Sequence, residues 1–517
     1  MPDAVVLDGD SLALSSVWAV ADAPRATVTL APAARQRVSA TRSTVVDIVK
    51  RGDVVYGVTT GFGKLSEVAI PADRLAELQV NLVRSHAAGV GHPLPEREVR
   101  AMMLLRANVL AKGFSGARPE LIDLLAGMLN AGLYPTIPEQ GSVGASGDLA
   151  PLAHLALSLI GEGMLHRGAD EGPAATMLRG AGLAPVVLEP KEGITLINGT
   201  QAHTAVAAMA LHDAHRLWRV AHVAGAMSLE GLMGTPAAFD ARIHEARGQV
   251  GQLESAALLR LLLADSEIRE SHRHGDPRVQ DAYALRCMPQ VHGPCLDALR
   301  FTQSLVQREL NAATDNPLVF ADRTVVSGGN FHGQVVALGL DLLAIALTNL
   351  GAIAERRIDR LVHPDFNHGL PPFLARDAGV HSGFMMAQVA AAALVSECKV
   401  LSHPASVDSI PTDGNKEDIV PMAMGAAWKL KRILDNLRNI LAIELLCAAQ
   451  ALDYRAPLRT SKALLPVHAA IRTLVPTLTG DRVLSGDIAS LAAAIQSGRF
   501  DGASVPTSVM SDFPSWQ

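Results

Sequence analysis

Apolar residues recur at three- and four-residue steps along most of this chain, the spacing that places them on one face of an α-helix. Five long stretches of this kind are rich in alanine and leucine and have broad apolar faces. They lie at residues 202–231, 295–312, 331–358, 380–400 and 422–452. Small residues at many positions allow close helix–helix approach, so the pattern predicts a mainly α fold with a bundle of long helices at its centre.

The chain before the bundle is more mixed, and we predict three parts in all. These are a smaller mixed N-terminal domain at 1–200, the long-helix bundle at 201–460, and a C-terminal helical segment and tail at 461–517. In the first part Thr27–Leu30 predicts a short strand, and Pro32 predicts the first turn of a helix. Residues 165–190 are rich in glycine, alanine and proline and predict an exposed excursion.

Composition narrows the possible functions. The chain has 517 residues, 49% of them apolar, so it can bury a large core. Its 45 basic and 51 acidic side chains give a net charge of −6, which argues against a nucleic-acid partner. Residues 335–354 are the most membrane-like stretch, but Asp341 lies among them, so we expect a buried helix and no membrane. The N-terminus is unlike a signal peptide, and the four cysteines form no Cys-x-x-Cys pair, so we expect a cytoplasmic protein. His272 and His274 lack a matching ligand set, so no metal is predicted.

The least helix-like stretch is residues 141–147, which hold three glycines. Asp148 and Pro151 follow and predict the start of a helix, so the loop lies at a helix N-terminus. A phosphate-binding turn and a plain loop are two interpretations, although no lysine follows as in a P-loop. A third is a strained turn that presses the Gly147 nitrogen onto the Ala145 carbonyl. Closure of that ring with loss of water would give a methylidene-imidazolone, an electrophile built from backbone.

Residues 141–154, Gly-Ser-Val-Gly-Ala-Ser-Gly-Asp-Leu-Ala-Pro-Leu-Ala-His, resemble the signature of the aromatic amino acid ammonia-lyases. The resemblance implies an L-aspartase/fumarase-like helical fold and a homotetramer whose active sites are each built from several subunits. It also implies that Ala145, Ser146 and Gly147 form the 4-methylidene-imidazol-5-one (MIO) prosthetic group autocatalytically, with Ser146 as the dehydroalanine. It implies no metal and no nucleotide. The implied reaction is the elimination of ammonia from a small-molecule amino acid.

Other motifs match residues of that family's active site. Tyr56, in a loop with three glycines, matches the catalytic base, a role that requires a lowered phenol pKa. Arg286 matches the anchor of the substrate carboxylate, because its planar fork fits two oxygens. The remaining matches are the polar groups Asn198, Gln280 and Tyr283 around the ring and amine, and Phe331 in the ring pocket. From the residues alone, Tyr56 could equally be a packed loop residue and Arg286 a structural ion pair.

Two positions in the sequence indicate which substrate is used. His86, which follows Ser85, and the catalytic candidate Glu417 match family members that act on histidine, where they interact with the imidazole. We therefore expect conversion of L-histidine to trans-urocanate and ammonia, the first step of histidine degradation to glutamate. Lys416 and residues 419–422 depart from the family pattern, which keeps a tyrosine or phenylalanine lyase or an aminomutase open. A catalytically inactive helical scaffold is the alternative from a different class.

Overall fold

Helices make up most of the chain in the computed structural model, which describes residues 4–22 and 26–501. The predicted mainly α fold is confirmed. The N-terminal part contains the helices α1 (Leu14–Asp22), α2 (Pro32–Arg51), α3 (Leu75–His86), α4 (Glu96–Ala111), α5 (Pro119–Ala131), α6 (Leu149–Leu159), α7 (Ala174–Gly180) and α8 (Glu192–Ile197).

The strands are short and form small sheets of two or three strands. They are β1 (Ala4–Leu7), β2 (Thr27–Leu30), β3 (Val90–Pro93), β4 (Tyr134–Pro135), β5 (Pro138–Gln140), β6 (Met164–Arg167), β7 (Asp170–Pro173), β8 (Leu318–Val319) and β9 (Val325–Val326). β1 pairs with β2 in parallel, which confirms the predicted strand at Thr27–Leu30. The other pairings, β3 with β5, β4 with β6, β6 with β7, and β8 with β9, are antiparallel.

The second half of the chain supplies the long helices. They and their shorter neighbours are α9 (Gln201–Gly231), α10 (Ala241–Arg247), α11 (Val250–Leu262), α12 (Glu267–Ser271), α13 (Tyr283–Arg286), α14 (Met288–Glu309), α15 (Gln334–Val362), α16 (Met385–Leu401), α17 (Ala423–Tyr454), α18 (Leu465–Leu474) and α19 (Ser485–Gln496). All five predicted long helices are present. The largest difference between a predicted and an observed boundary is at α14, which begins at Met288 rather than at residue 295. Pro289 suits the first turn of a helix, because the N–H that proline lacks would have no partner within the helix there.

The centre of the bundle is formed by α9, α15 and α17, which pack against one another. Arg357 of α15 and Glu444 of α17 form a fully buried ion pair with a 2.5 Å N–O distance. The Ser228 hydroxyl of α9 donates to the same carboxylate at 2.8 Å. One polar network therefore joins the three helices inside an apolar core, where buried charges need partners.

α15 is long and apolar enough to cross a membrane, judged by length and composition alone. In the fold it packs against α9, α14, α16 and α17. Its Asp341 pairs with Lys429 of α17 at 2.7 Å. The interpretation of residues 335–354 as a bundle helix agrees with this packing.

The N-terminal part and the bundle share one cluster of buried apolar residues, which includes Val5 and Phe500. The predicted division into three parts stays a prediction. Residues 165–190, predicted as an exposed excursion, include many exposed side chains, but they also contain regular structure: β6 and β7 pair there, and α7 buries Ala174 and Leu178 completely. Of the predicted polar tail, residues 502–517 lie outside the described residues.

Candidate active site

The glycine-rich loop at residues 141–147 is held by contacts that leave no room for side chains. Gly147 has a φ of +70° and forms a parallel bridge with Gly199, and a Cβ at Gly147 would lie 2.1 Å from the Gly199 carbonyl oxygen. Gly144 has a φ of +75°, and a Cβ there would lie 2.8 Å from the Cβ of Ala423. Space and backbone conformation therefore both require glycine at these two positions.

Asp148 stands at the N-cap position of α6, where the helix was predicted to start, but its side chain makes no capping hydrogen bond. The buried carboxylate instead accepts the His203 backbone N–H at 2.8 Å and lies 2.9 Å from His203 Nδ1. It also accepts the Ser142 hydroxyl at 2.8 Å. Burial opposes ionisation of both partners, but their attraction and hydrogen bonds prevail, so the pKa of Asp148 is lowered and that of His203 is raised. This ion pair fastens the loop to the start of α9.

The Ser146 carbonyl oxygen faces a side-chain donor. The Asn198 Nδ2–H donates to it at 2.7 Å. Asn198 is held in turn by Arg106 of α4, which donates to the carbonyl oxygens of Thr195 at 2.9 Å and Asn198 at 3.0 Å. Arg106 is completely buried, which lowers its pKa to about 10 and leaves it a cation at neutral pH. The arrangement fixes the Asn198 backbone, so that its side-chain amide donates to the backbone of the predicted ring.

A cavity of about 760 Å³ opens beside this loop. Six of the residues singled out from the sequence line it: Tyr56, His86, Ser146, Asn198, Phe331 and Glu417. Apolar side chains of α3, α6 and α8 complete the wall, among them Leu82, Leu149 and Ile194. Residues from six separated stretches of chain thus meet in one concave site, large enough for an amino acid.

Glu417 contacts Ser146 directly. Its Oε1 accepts a hydrogen bond from the Ser146 hydroxyl, and its Oε2 accepts one from the Thr412 hydroxyl. On another wall of the cavity, Nδ1 of His86 lies 2.9 Å from the Leu82 carbonyl oxygen. That contact favours the tautomer with its proton on Nδ1, which leaves Nε2 as an acceptor.

Tyr56 lies in the cavity, but its electrostatics differ from the expectation. Its pKa is raised, chiefly by burial and further by the charges of Asp413, Asp315 and Glu417, while the backbone N–H of Gly63 opposes the rise. The lowered pKa expected for Tyr56 is therefore wrong for the chain by itself. The charges that act on this phenol are carboxylates, which raise its pKa, whereas cations would lower it.

Three of the expected binding residues, Gln280, Tyr283 and Arg286, do not line this cavity. They lie at and just before α13, where the Tyr283 side chain is 70% exposed. The Arg286 guanidinium stacks 4.6 Å over the Tyr283 ring. Their roles stay predictions, which the fold of one chain does not bring to Ser146.

Two residues that shape the site, Arg106 and Asp413, were not predicted from the sequence. Arg106 could have been suspected, because a lone arginine interrupts the apolar run of α4. Asp413 also lines the cavity. Nothing in its local sequence separates it from an ordinary turn residue, and its role depends on a partner far away in the chain. Among residues 4–22 and 26–501, no cluster of three or more metal-ligating side chains is found.

Comparison with known proteins places this site in a family. A family model described as aromatic amino acid lyase matches residues 12–473. The chain belongs to the aromatic amino acid lyase family. It is therefore a carbon–nitrogen lyase, and the resemblance drawn from residues 141–154 is confirmed.

Individual relatives cover nearly the whole chain. The histidine ammonia-lyase of Anaeromyxobacter dehalogenans (strain 2CP-C) is 55% identical over 508 residues, spanning 96% of this chain and 100% of that relative. The crystal structure of histidine ammonia-lyase from Trypanosoma cruzi has a TM-score of 0.90 at 42% identity, covering 98% of this chain and 96% of that one. A tyrosine aminomutase from Streptomyces globisporus has a TM-score of 0.92 at 39% identity, covering 97% and 98%.

Proposed function

We propose that this chain eliminates ammonia from L-histidine to give trans-urocanate, the first step of histidine degradation to glutamate, in the cytoplasm. The observation that carries the proposal is the presence of His86 and Glu417 in the cavity that contains Ser146. A protonated imidazole can donate to both, since His86 Nε2 and the Glu417 carboxylate are both acceptors. The relatives of highest identity described above, named histidine ammonia-lyases, support the same substrate.

Ala145, Ser146 and Gly147 fit the proposed MIO group. Gly147 meets Gly199 so closely that only an unsubstituted residue can stand there, which suits a backbone nitrogen that must approach a carbonyl two residues earlier. When formed, the ring supplies an electrophilic carbon that withdraws electron density from the substrate. Asn198 is placed to stabilise that density, because its amide donates to the Ser146 carbonyl oxygen.

Tyr56 is the proposed base for the β-hydrogen of the substrate. Its raised pKa means that the phenol keeps its proton in the empty cavity at neutral pH. The carboxylates around it favour entry of the substrate's ammonium group, which is a cation. A cation bound beside Tyr56 lowers the pKa of the phenol, so substrate binding itself prepares the base.

We propose that the substrate carboxylate is held by Arg286 of a neighbouring subunit in a homotetramer. Arg286 lies outside the cavity of its own chain, and a guanidinium suits a carboxylate. An apolar stripe on α15 supports the assembly: Val335, Leu338, Leu342 and Ile345 follow helical spacing and are between 41% and 53% exposed. A row of exposed apolar side chains of this kind is typical of an interface.

An aminomutase that returns the amine to the β-carbon is the second candidate, favoured by the likeness to the tyrosine aminomutase. Lys416, which departs from the family pattern, is exposed and does not line the cavity, so it gives that candidate no support. The two activities differ in their products, because only the lyase releases ammonia.

The decisive experiment incubates purified protein with L-histidine, L-tyrosine or L-phenylalanine and follows the ultraviolet absorbance of the unsaturated acids, with β-amino acids measured by mass spectrometry. We expect urocanate from histidine and no product from a Ser146→Ala control. Coumarate, cinnamate or a β-amino acid as the main product would contradict the proposed substrate or reaction. No product from any of the three would favour the inactive scaffold.

A further inference from the structure

Asp413 joins two segments of the cavity wall that are far apart in sequence. Its two carboxylate oxygens lie 3.1 and 3.3 Å from the backbone nitrogen of Lys64 and accept its N–H. Lys64 belongs to the 3₁₀ turn Gly63–Leu65, and Asp413 begins the 3₁₀ turn Asp413–Asn415. A single carboxylate thus bridges the Tyr56 segment and the Glu417 segment.

The two turns fit each other closely. Gly63 has a φ of +53°, and a Cβ there would lie 2.0 Å from Asp413 Oδ2. Gly414 has a φ of +58°, and a Cβ there would lie 3.3 Å from Lys64 Cγ. Glycine on each side of the contact allows the carboxylate to reach the backbone of the opposite turn.

The turn that Asp413 holds is also the turn that contacts Tyr56. The backbone N–H of Gly63 interacts with the Tyr56 phenol oxygen, and the next N–H along the chain, that of Lys64, goes to Asp413. Movement of the turn would therefore change the surroundings of the phenol directly.

On its other side Asp413 is tied to Glu417. The Thr412 backbone N–H donates to the Glu417 carbonyl oxygen at 2.9 Å, and the Lys416 N–H donates to the Asp413 carbonyl oxygen at 3.1 Å. The Thr412 hydroxyl also donates to the Glu417 carboxylate. Residues 412–417 therefore form one compact hydrogen-bonded loop that includes Glu417.

We propose that Asp413 is a positioning residue that latches the Tyr56 segment onto the Glu417 loop, so that the two proton-transferring groups stand in fixed relation across the cavity. The inference rests on the proposed function in one respect, namely that Tyr56 and Glu417 act on the substrate. The latch itself is a hydrogen bond from the backbone of one turn to a side chain of the other, and it can be tested without any activity.

Two substitutions separate the latch from the charge. Asp413→Asn keeps a carbonyl oxygen for the Lys64 N–H but removes the negative charge, whereas Asp413→Ala removes both. Asp413 is one of three carboxylates that raise the Tyr56 pKa, with Asp315 and Glu417, and both variants relieve its share equally. Any difference between the two variants therefore reports the hydrogen bond to the turn.

We expect Asp413→Asn to shift the acidic limb of the kcat/KM profile to lower pH, because loss of a nearby negative charge lowers the phenol pKa. Asp413→Ala should place that limb at higher pH than Asp413→Asn does, since the Gly63 N–H is no longer held against the phenol. It should also lower kcat about three- to tenfold, the effect of losing one hydrogen bond. Asp418→Asn removes the carboxylate that directly follows this loop without touching the Lys64 N–H and serves as the control.

Trypsin cleavage after Lys64, followed by mass spectrometry, gives a second measurement that needs no activity. Cleavage should be faster in Asp413→Ala than in the wild type, Asp413→Asn or Asp418→Asn, because the turn is released. Equal cleavage rates and equal pH limbs in the Ala and Asn variants would overturn the latch. A wild-type protein that makes no urocanate would overturn the proposed function instead, and the trypsin comparison would still decide the latch.

Discussion

At the scale of single residues, the site depends on glycines, because there is no space for a side chain where the backbone segments meet. The backbone of Gly147 comes so close to Gly199 that one added methyl group would occupy the same space as a carbonyl oxygen. The neighbouring serine presents its carbonyl to an amide donor and its hydroxyl to a carboxylate. Close packing at Gly147 and hydrogen bonds at Ser146 therefore limit which residues can stand in the segment 145–147.

Gly147→Ala is expected to abolish both activity and ring formation. The new Cβ would meet the Gly199 backbone, and the φ of +70° disfavours a side chain. The measurement is the mass of the peptide that contains residues 145–147, which should show no loss of water. Gly182→Ala, at a φ of +74° with open space around it, isolates the cost of backbone strain and should keep the ring. Water loss in the Gly147 variant at the wild-type level would contradict this account.

The sequence was informative about residues with a local pattern and silent about those defined by distant partners. The glycine-rich loop could be found because three glycines in seven residues suit neither helix nor strand. The cavity positions of Tyr56, His86 and Glu417 followed from the resemblance of their motifs. Arg106 and Asp413 could not be assigned, because the atoms they hold lie in segments that only the tertiary fold brings near. The prediction of a lowered Tyr56 pKa was wrong for the same reason, since the carboxylates that raise this pKa come from turns far away in the sequence.

At the scale of elements, the join between α6 and α9 decides where the loop sits. The start of α6 was predicted from Asp148 and Pro151, yet the carboxylate of Asp148 reaches across to α9 rather than capping its own helix. Helix positions followed from periodicity, but their mutual contacts did not, because a cap residue and a buried ion-pair residue look alike in sequence. His203 supplies the counter-charge, and both groups are completely buried.

Asp148→Asn is expected to destabilise the fold by roughly 3–5 kcal/mol, because it leaves the buried His203 without its counter-charge. The raised pKa of His203 means that its contribution is complete below about pH 6.5 and fades as the pH rises through its folded value. The lowered pKa of Asp148 means that its contribution is present above about pH 4 and fades as the pH falls through its folded value.

Urea unfolding of the Asp148 variant across this pH range is the measurement. Asp123→Asn is the matched control, since its pair with Arg35 is 44–46% exposed and should contribute less than about 1 kcal/mol. Equal losses of unfolding free energy for the two substitutions would show that the buried pair contributes no more to stability than the exposed pair.

At the scale of the whole molecule, one chain contains only part of the expected site. Its cavity holds Ser146, Tyr56 and Glu417, while Arg286 and Tyr283 lie elsewhere on its surface. In addition to the apolar stripe of α15, Phe301 of α14 and Met386 of α16, on two helices that pack against α15, are also exposed. A bundle that shows such a face to solvent gains by covering it with a second copy, which would also bring in the missing residues.

Leu342→Glu is expected to break the assembly, because it places a charge in the middle of the stripe. Light scattering coupled to size-exclusion chromatography should show smaller species and a matching loss of activity. Val187→Glu makes the same change at an apolar side chain that is 80% exposed in the N-terminal part, and should keep the wild-type mass. A fully active monomer of the Leu342 variant would contradict a shared site.

Mixing two inactive variants tests the shared site itself. Tyr56→Phe and Arg286→Ala should each be inactive alone, since one lacks the base and the other the carboxylate anchor. If the two residues act from different subunits, refolding the variants together should restore activity in hybrid assemblies. If the mixture stays inactive although mass spectrometry shows hybrid assemblies, both residues act in the site of one subunit.

The bridge between Gly147 and Gly199 has one more consequence. The two residues are 52 positions apart, so the loop can make this contact only after both segments have been synthesised and α9 has docked. Under the proposed chemistry, dehydration of the loop would occur only in chains whose α9 has docked, and it is irreversible. A molecule that had folded once would then stay dehydrated after it unfolded. The dehydrated fraction in an old or denatured sample would therefore give the fraction of chains that had folded at any time, not the fraction that is folded now.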